Sequence, residues 1–267
     1  MNHNSRILPL AVLCLILLAG CASTGSSAKR KDWTAEQFYL SGRKALLATR
    51  YTKAINRLET LEARYPYGAY AKRAQLDVAY AYYKNHESDS AVAAANRFIR
   101  LHPTDPHVAY AYYLKGLAYF NAHRSAVYRL FDKNNLIDRD DHSAKRAIAT
   151  FETLVRRYPH SRYAPDAYRR MVYLTDLLAR NTVDVAKYYY SRRVFVAAVN
   201  RAQYVVEHYQ QTPAVEEALG IEAMAYRRMG LEHLSQASLA VLEQNFPHSH
   251  YIAKTEAIPE PRPAAVK

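Results

Sequence analysis

The chain has 267 residues, of which half are hydrophobic and only 7 are glycine, so it is long enough to bury a large, mostly helical core. A small disulfide-stapled fold is excluded, because Cys14 and Cys21 are the only cysteines and Cys14 lies in an N-terminal apolar run. The positive charge is uneven: residues 124–201 hold 16 Lys and Arg against 8 Asp and Glu, whereas residues 202–267 hold 5 against 8. A basic belt of this kind indicates an acidic partner surface, anionic lipid or nucleic acid, or else a solvated helix face.

Residues 1–20 predict a signal peptide that is not part of the fold. Arg6 supplies a thin positive region, and the apolar run from Leu8 to Leu18 is too short to span a bilayer as a helix. The run ends in Leu18-Ala19-Gly20-Cys21, which resembles the lipobox of bacterial lipoproteins. This resemblance implies cleavage before Cys21, lipid on its sulfur and an acylated amino terminus. A plain signal peptide followed by a chance cysteine is the alternative.

The mature chain is predicted to open with a flexible polar tether, residues 21–32, made largely of Ser, Gly and Lys. Ala22 is not the Asp that would favour inner-membrane retention, so the lipoprotein resemblance implies the outer membrane. The fold is predicted to begin at Thr34, whose hydroxyl caps a helix while Gln37 reaches back to it in a capping box.

The stretch from Tyr51 to Ala71 recurs down the chain and predicts a helical repeat array. Residues 54, 58, 61 and 65 share one helix face, and Pro66 cannot continue the helix. The units resemble tetratricopeptide repeats, in which a small residue permits close helix approach and a proline ends the second helix. The small and closing positions of the five units are Gly42 and Pro66, Ala79 and Pro103, Gly116 and Pro159, Val172 and Gln210, and Ala223 and Pro247. The expected fold class is all-α, a superhelical array of about five tetratricopeptide-like helix pairs.

Two insertions interrupt the middle units and indicate a binding face, because insertions in a repeat array map to one face. The first, at about 121–143, contains the charged run 138–141, and the second, at about 180–196, contains three consecutive tyrosines and Arg192-Arg193. The predicted organisation is a signal peptide at 1–20, a tether at 21–32, repeats one and two with the first helix of repeat three at 33–120, the remaining repeats with both insertions at 121–255, and a Pro-rich disordered tail at 256–267.

Nothing in the sequence predicts catalysis, a metal site or a cofactor. It contains no Gly-rich phosphate loop, no Gly-x-Ser-x-Gly motif and no His-Glu-x-x-His motif. Asp138, Asp140 and Asp141 lack the Gly and the distal Glu of a calcium loop, and His248 and His250 have no further ligands nearby in sequence. We therefore expect a protein that is not an enzyme.

The 24 tyrosines are clustered, and two of the clusters predict a peptide-binding groove. Tyr80 with Tyr83, and Tyr110 with Tyr113, stand three residues apart on predicted first helices, so each pair shares a helix face. Tyrosine offers broad apolar contact and a hydroxyl, which suits the binding of an extended peptide. Packing between repeats is the alternative role for each of these residues.

Five segments of the chain resemble the BamD family, also called ComL, of outer-membrane lipoproteins in the β-barrel assembly machinery. The resemblance covers Cys21 to about Ala253. Its most specific segments are Arg-Tyr-Pro-Tyr-Gly at 64–68, Tyr-Ala-Tyr-Tyr-Lys-Asn at 80–85, Arg-Phe-Ile-Arg-Leu at 97–101, Asp-Arg-Asp at 138–140 and Val-Asn-Arg at 199–201. It implies a scaffold anchored in the outer membrane through Cys21 and facing the periplasm, which helps BamA to fold and insert β-barrel proteins.

The resemblance also implies partners. In the family, the N-terminal repeats bind the C-terminal strand of unfolded outer-membrane proteins, and the C-terminal repeats bind the last POTRA domain of BamA and contact the lipoprotein BamC. The residues expected in the substrate-peptide groove are Tyr67, Tyr70, Tyr80, Tyr83, Lys84 and Arg97. The residues expected to face BamA are Tyr188, Arg192 and Arg201. No nucleic acid is expected as a partner.

Two other function classes stay open at this point. The basic charge also suits a periplasmic lipoprotein associated with peptidoglycan or with DNA uptake. Retention on cell-wall sacculi or DNA that survives high salt would favour that alternative, because non-specific electrostatic binding weakens as salt rises. An enzyme ranks third.

Overall fold

The computed structural model describes residues 32–129 and 141–259. Eleven helices and no strand occur among these residues, so the predicted all-α fold class is confirmed. In chain order, ten of the helices form five successive helix pairs, as expected of a tetratricopeptide-like array, and a short eleventh helix follows them. None of the helices in the described part is both long enough and apolar enough to cross a bilayer.

Two compact units divide the chain, Met1–Ala81 and Tyr82–Lys267. The boundary falls inside the third helix, whereas the repeat pattern suggested a division after residue 120. Cys21, the predicted lipidation site, and Asp138 and Asp140 of the first insertion lie outside the described residues.

The first unit contains α1 (Ala35–Leu47), α2 (Tyr51–Arg64) and most of α3 (Ala69–Lys84). Helix α1 begins at the predicted capping box: the Gln37 backbone N–H donates to Thr34 Oγ1 at 3.3 Å, and the Thr34 N–H donates to Gln37 Oε1 at 2.8 Å. These two bonds satisfy backbone N–H groups that a helix start would otherwise leave without partners. The predicted capping box at the start of α1 is therefore confirmed.

The apolar face predicted for α2 packs into the core of the first unit. Ala54, Leu58 and Leu61 are fully buried. The helix ends at Arg64, two residues before Pro66, because a residue that precedes proline is pushed out of the helical region. Tyr65, which the periodicity placed on the same face, is 38% exposed and its hydroxyl donates to the Trp33 carbonyl at 2.8 Å.

The second unit contains eight further helices. They are α4 (Ser88–Leu101), α5 (Val108–Arg129), α6 (Asp141–Arg157), α7 (Ala164–Ser191), α8 (Phe195–His208), α9 (Ala214–Arg228), α10 (Glu232–Asn245) and α11 (His250–Glu256). As in α2, a proline follows two residues after the end of α4, α6 and α10. Helix α8 ends without one, since Gln210 occupies the corresponding position, as the sequence indicated.

The small residue predicted for repeat three permits a close approach between helices. A Cβ added to Gly116 on α5 would lie 2.3 Å from the Phe151 ring on α6, well inside the contact distance of two carbon atoms. Phe151 is fully buried and belongs to a core cluster that joins α5, α6 and α7. Gly116 therefore sets the spacing of this helix pair.

The second insertion extends a helix. Residues 180–191 continue α7, which reaches 28 residues, and its last turns are anchored by Tyr189 and Tyr190, which pack against the core. For the first insertion, α5 continues beyond residue 120 to Arg129, and α6 starts at Asp141.

The C-terminal boundary of the fold differs from the prediction. Ile258, which the sequence analysis placed in the tail, is 5% exposed and packs in a core cluster with residues of α7, α8 and α9. Its carbonyl accepts a 2.8 Å hydrogen bond from Arg227 Nε. The ordered chain therefore continues at least to Ile258, because its side chain is buried in this apolar cluster and its carbonyl is hydrogen-bonded.

Candidate partner-binding surfaces

The turn between α2 and α3 presents Tyr67 to solvent. Its side chain is 91% exposed, the largest exposure among the bulky apolar side chains of the described residues. Gly68 follows with a φ of +100°, a conformation that favours glycine. On the other side of Pro66, the Tyr65 hydroxyl donates to the Trp33 carbonyl, and this bond fixes the turn. Tyr67 itself makes no packing contact that would bury it. A fully exposed aromatic ring on an ordered turn is suited to contact with a partner.

Tyr70, in contrast, belongs to a polar and aromatic cluster that joins α1 and α3. Its ring lies 5.4 Å from that of Tyr39, and a hydrogen bond to the Glu36 carboxylate is the main reason that the pKa of Tyr70 is raised. In the same unit Arg43 Nη1 lies 3.2 Å from Asp77 Oδ1. Burial raises the pKa of Asp77 in spite of the nearby Arg43 cation.

The repeat pattern did not predict this α1–α3 cluster. A signal for it exists, because residues 36, 39 and 43 share one face of α1 and residues 70 and 77 lie about two turns apart on α3. Repeat-pattern reading passes over such positions, since it follows the small and apolar residues that define each unit.

The other residues predicted for the groove differ in exposure. Tyr80 and Arg97 are half-buried, and Lys84 is exposed at the end of α3. Tyr83 is half-buried and packs against the core cluster of α5, α6 and α7. Tyr83 therefore has a packing role, the alternative that the sequence had left open for each tyrosine.

The turn between α7 and α8 brings two predicted residues together. The Arg192 guanidinium lies over the Tyr188 ring, 5.4 Å from its centroid, and the Tyr188 side chain is 41% exposed. The turn is tightly bonded: the Arg192 N–H donates to the Tyr188 carbonyl at 3.1 Å, and the Val194 N–H donates to the Tyr189 carbonyl at 3.0 Å. Arg193 between them has a φ of +60°.

Arg193 shares this left-handed conformation with Thr49, His86 and Gly230, each of which stands two residues after the first helix of its unit, so the turn is a feature of the repeat. Here the conformation of Arg193 reverses the chain at once after α7. As a result, Arg192, Arg193 and the 48% exposed Val194 are all presented at the surface.

Arg201 lies on α8, and its side chain is exposed. None of its contacts in the described ranges joins it to Tyr188 or Arg192 directly. Val196, earlier on the same helix, is 62% exposed. We define the α7–α8 surface as the exposed residues Tyr188, Arg192, Arg193, Val194, Val196 and Arg201.

In the described part of the chain, neighbouring carboxylates do not neutralise the cations of the α7–α8 surface. Within residues 32–129 and 141–259, no Asp or Glu forms an ion pair with Arg192, Arg193 or Arg201. The nearest acidic groups on the end of α7 are engaged elsewhere; for example, Asp184 lies 3.6 Å from Lys187 Nζ. An exposed surface with three such guanidinium groups and two exposed valines favours an acidic partner with some apolar area.

A metal centre is not assembled by the described residues. Nowhere in these two ranges do three His, Cys, Asp or Glu side chains come close enough to hold an ion. The surfaces above consist of aromatic rings, aliphatic side chains and cations, groups that are common at protein interfaces.

Comparison with known proteins gives consistent matches over most of the chain. The family model described as the outer membrane lipoprotein YfiO matches residues 31–242. The outer membrane protein assembly factor BamD of Neisseria meningitidis serogroup A is 42% identical over 247 residues, which cover 91% of this chain and 92% of that protein. The BamD of Vibrio cholerae serotype O1 is 36% identical over 234 residues, covering 88% of this chain and 96% of that one.

Among solved structures, a thermophilic tetratricopeptide-repeat protein of Thermus thermophilus matches 84% of this chain and 98% of its own, with 14% sequence identity and a TM-score of 0.40. This likeness is too distant to bear on function.

Proposed function

The chain belongs to the BamD family of outer membrane protein assembly factors, and from that membership we propose that it works as a non-catalytic scaffold of the β-barrel assembly complex. In this proposal the protein is anchored by lipid on Cys21, lies at the outer membrane and faces the periplasm. It binds the last POTRA domain of BamA, contacts other lipoproteins of the complex such as BamC, and receives unfolded outer-membrane proteins.

The observation that supports the BamA contact is the α7–α8 surface. Its three guanidinium groups are exposed and lack acidic partners within the described ranges, although ion pairs are common elsewhere on α7. Desolvated pairs between such cations and carboxylates of a partner contribute to specificity and on-rate. Tyr188 and the exposed Val194 and Val196 add the apolar contact that an interface core needs.

The observation that supports substrate binding is the exposure of Tyr67. The C-terminal strand of a barrel protein carries aromatic side chains at alternate positions, and an exposed tyrosine offers such a strand an aromatic contact of about 0.5–1.5 kcal/mol beyond area burial. The half-buried Tyr80 and the exposed Lys84 remain part of the proposed set, whereas Tyr70 and Tyr83 each make packing contacts within their own unit.

The proposed scaffold role is tested by affinity purification of the tagged full chain from detergent-solubilised outer membranes. We expect BamA to co-purify in near-equal amount with the tagged protein. Cys21→Ser is the control for anchoring, since a single acyl chain gives only marginal membrane binding and several together hold a protein firmly. Recovery of the tagged chain from membranes without BamA would contradict the proposal.

Substrate binding is tested separately with a photo-crosslinking amino acid placed at Tyr67 and, as a matched position in repeat five, at His248, which is exposed and follows Pro247 as Tyr67 follows Pro66. A peptide copied from the C-terminal strand of a barrel protein should label the Tyr67 variant, and a scrambled peptide should not. Equal labelling at both positions would mean that Tyr67 has no part in recognition.

A further inference from the structure

A cavity of about 640 Å³ lies in the second unit, at the turns that precede α5 and α7. Of its eleven lining residues, those that matter for binding are Tyr110, Tyr163, Arg157, Arg162, His107 and His160. We call it the repeat-three cleft, because its far wall is the closing turn of repeat three. Its volume is within the range of about 300–1,000 Å³ that is usual for ligand sites in proteins.

The aromatic wall of the cleft is rigid. The Tyr163 ring lies 5.1 Å from the Tyr110 ring and is stacked on the Tyr113 ring at 5.0 Å with 25° between the planes. Tyr113 is in turn fixed by a 2.6 Å hydrogen bond from its hydroxyl to Asp166 on α7. Tyr113 itself does not line the cleft, but it holds Tyr163 in place, so the parts of Tyr110 and Tyr163 that line the cleft lose little freedom when they contact a ligand.

The rim of the cleft carries only positive or titratable nitrogen groups. The Arg162 guanidinium lies over the Tyr163 ring at 4.9 Å, and its Nη2 donates to the Tyr163 hydroxyl at 2.7 Å. Arg157, at the end of α6, is exposed and forms no ion pair within the described ranges. His107 and His160 complete the rim, and no Asp or Glu is among the eleven lining residues.

One carboxylate beside the rim, that of Asp105, is already bonded to His107. Asp105 Oδ1 accepts the His107 backbone N–H at 2.8 Å and lies 2.8 Å from His107 Nδ1. This bond fixes the turn before α5 and leaves the two guanidinium groups of the cleft without a neutralising partner among the lining residues. The cleft therefore combines an apolar aromatic wall with an uncompensated positive rim.

We propose that the repeat-three cleft binds an extended acidic segment of a protein partner. Apolar or proline side chains of the segment would lie against Tyr110 and Tyr163, and its carboxylates would pair with Arg157 and Arg162. Aromatic rings beside prolines form the type of groove that receives extended peptides. An anionic lipid headgroup needs the cations alone and makes no use of a stacked aromatic wall.

The repeat-three cleft is separate from the α7–α8 surface, so this inference does not depend on the proposed BamA contact. Tyr163 precedes α7 and Tyr188 lies in its last turn. At 1.5 Å of rise per residue, the 25 residues between them place the two sites about 37 Å apart along the helix. A partner at the cleft is thus free to bind while the far end of α7 is occupied.

The test is fluorescence anisotropy of a short labelled peptide of Glu, Pro and Leu, titrated with the purified full chain in detergent. Arg157→Glu should weaken binding about tenfold or more. The matched control is Arg156→Glu, which makes the same change of net charge one residue away, at an exposed position outside the lining of the cleft. That variant should bind within about twofold of the wild type.

Three results would overturn the proposal. The first is equal weakening by Arg156→Glu, which would show binding to the overall basic charge. The second is equal binding of a peptide in which every Glu is replaced by Lys. The third is displacement of the peptide by phosphatidylglycerol vesicles in the wild type but not in Arg157→Glu, which would assign the cleft to a lipid surface. A further check is Tyr110→Ala. This variant should bind the Glu, Pro and Leu peptide more weakly than wild type does, and its binding of an all-Glu peptide should fall less.

Discussion

The Tyr113 hydroxyl donates a 2.6 Å hydrogen bond to Asp166 Oδ2, and this bond joins α5 to α7 across 53 residues of sequence. The same oxygen lies 2.6 Å from Arg170 Nε. Burial, followed by the bond to Asp166, raises the pKa of Tyr113 to about 12. Partial burial alone would raise the pKa of Asp166, but the hydrogen bonds from Tyr113 and Arg170 outweigh it, so that this pKa lies below its ordinary value of 3.8.

This network predicts the sign of a pH effect on stability. A carboxylate whose pKa is lower in the folded state stabilises the fold above its unfolded pKa, and the stabilisation is lost as pH falls through the folded pKa. Asp166→Asn should therefore lower the free energy of unfolding at pH 7 by about 1–2 kcal/mol, since a hydrogen-bonded charge that is about one-third exposed is partly screened. The difference in unfolding free energy between the variant and wild type should shrink as the pH falls below 3.8. Thermal unfolding monitored by far-UV circular dichroism at several pH values measures it.

Asp77→Asn is the matched variant, for which we expect the opposite dependence of stability on pH. Burial raises the pKa of Asp77, so the ionised form is disfavoured in the folded protein, and wild type should gain stability relative to the variant as the pH falls. At pH 7 the variant should be as stable as wild type or more so. If the two variants showed the same dependence on pH, the two environments would have been assigned wrongly.

The local features of this fold were predictable from sequence, because they arise from backbone chemistry near each residue. Pro66 and its equivalents mark helix ends, and Thr34 with Gln37 marks the first helix start. The bond from Tyr113 to Asp166 was not predictable, since nothing in the chain links two residues so far apart. The same holds for Ile258: its apolar side chain is uninformative until the site that it fills is known.

The candidate surfaces were predictable only in part. Tyrosine is suited both to a groove and to a core, and sequence alone could not separate the exposed Tyr67 from Tyr83, which packs against the core. The contact between Tyr188 and Arg192 could be predicted from sequence, because side chains four residues apart at a helix end lie close together. The repeat-three cleft was missed, because its walls come from two turns about fifty residues apart.

Gly116→Ala should destabilise the second unit despite the better helix propensity of alanine. Propensity favours alanine by about 1 kcal/mol, whereas forcing a methyl group against a buried ring costs about 1–3 kcal/mol or more. The Phe151 ring stands 2.3 Å from the new Cβ and is itself fully buried, so it cannot move away at low cost. Chemical denaturation should show a lower midpoint for the variant.

Ala149→Gly, at an exposed site on α6, measures the effect of helix propensity without a change in packing. It should lower the free energy of unfolding by about 1 kcal/mol. A Gly116→Ala protein that is more stable than wild type would show that the two helices tolerate a wider spacing.

Tyr188 and Arg192 should contribute to BamA binding as a pair. A guanidinium held over an exposed ring interacts with it by about 0.5–1 kcal/mol, so the pair presents one preformed contact. Tyr188→Ala and Arg192→Ala should each weaken binding to the isolated POTRA domains of BamA. The double variant should lose less binding free energy than the sum of the two single losses. Titration calorimetry on the four proteins of this cycle measures the coupling, and strict additivity would mean that the two side chains act independently.

The measurement that tests the scaffold account most directly is co-purification of BamA with Arg201→Glu. Arg201 is exposed on α8 and has no ion-pair partner in the described residues, so the substitution should leave the thermal transition of the isolated protein nearly unchanged. Reversing a charge that pairs with a desolvated carboxylate should remove about 2–5 kcal/mol of binding free energy, enough to abolish co-purification. Arg100→Glu, an equally exposed arginine on α4, should retain BamA in full. Undiminished BamA with Arg201→Glu, or a large fall in its thermal transition, would contradict the assignment of the α7–α8 surface as the contact with BamA.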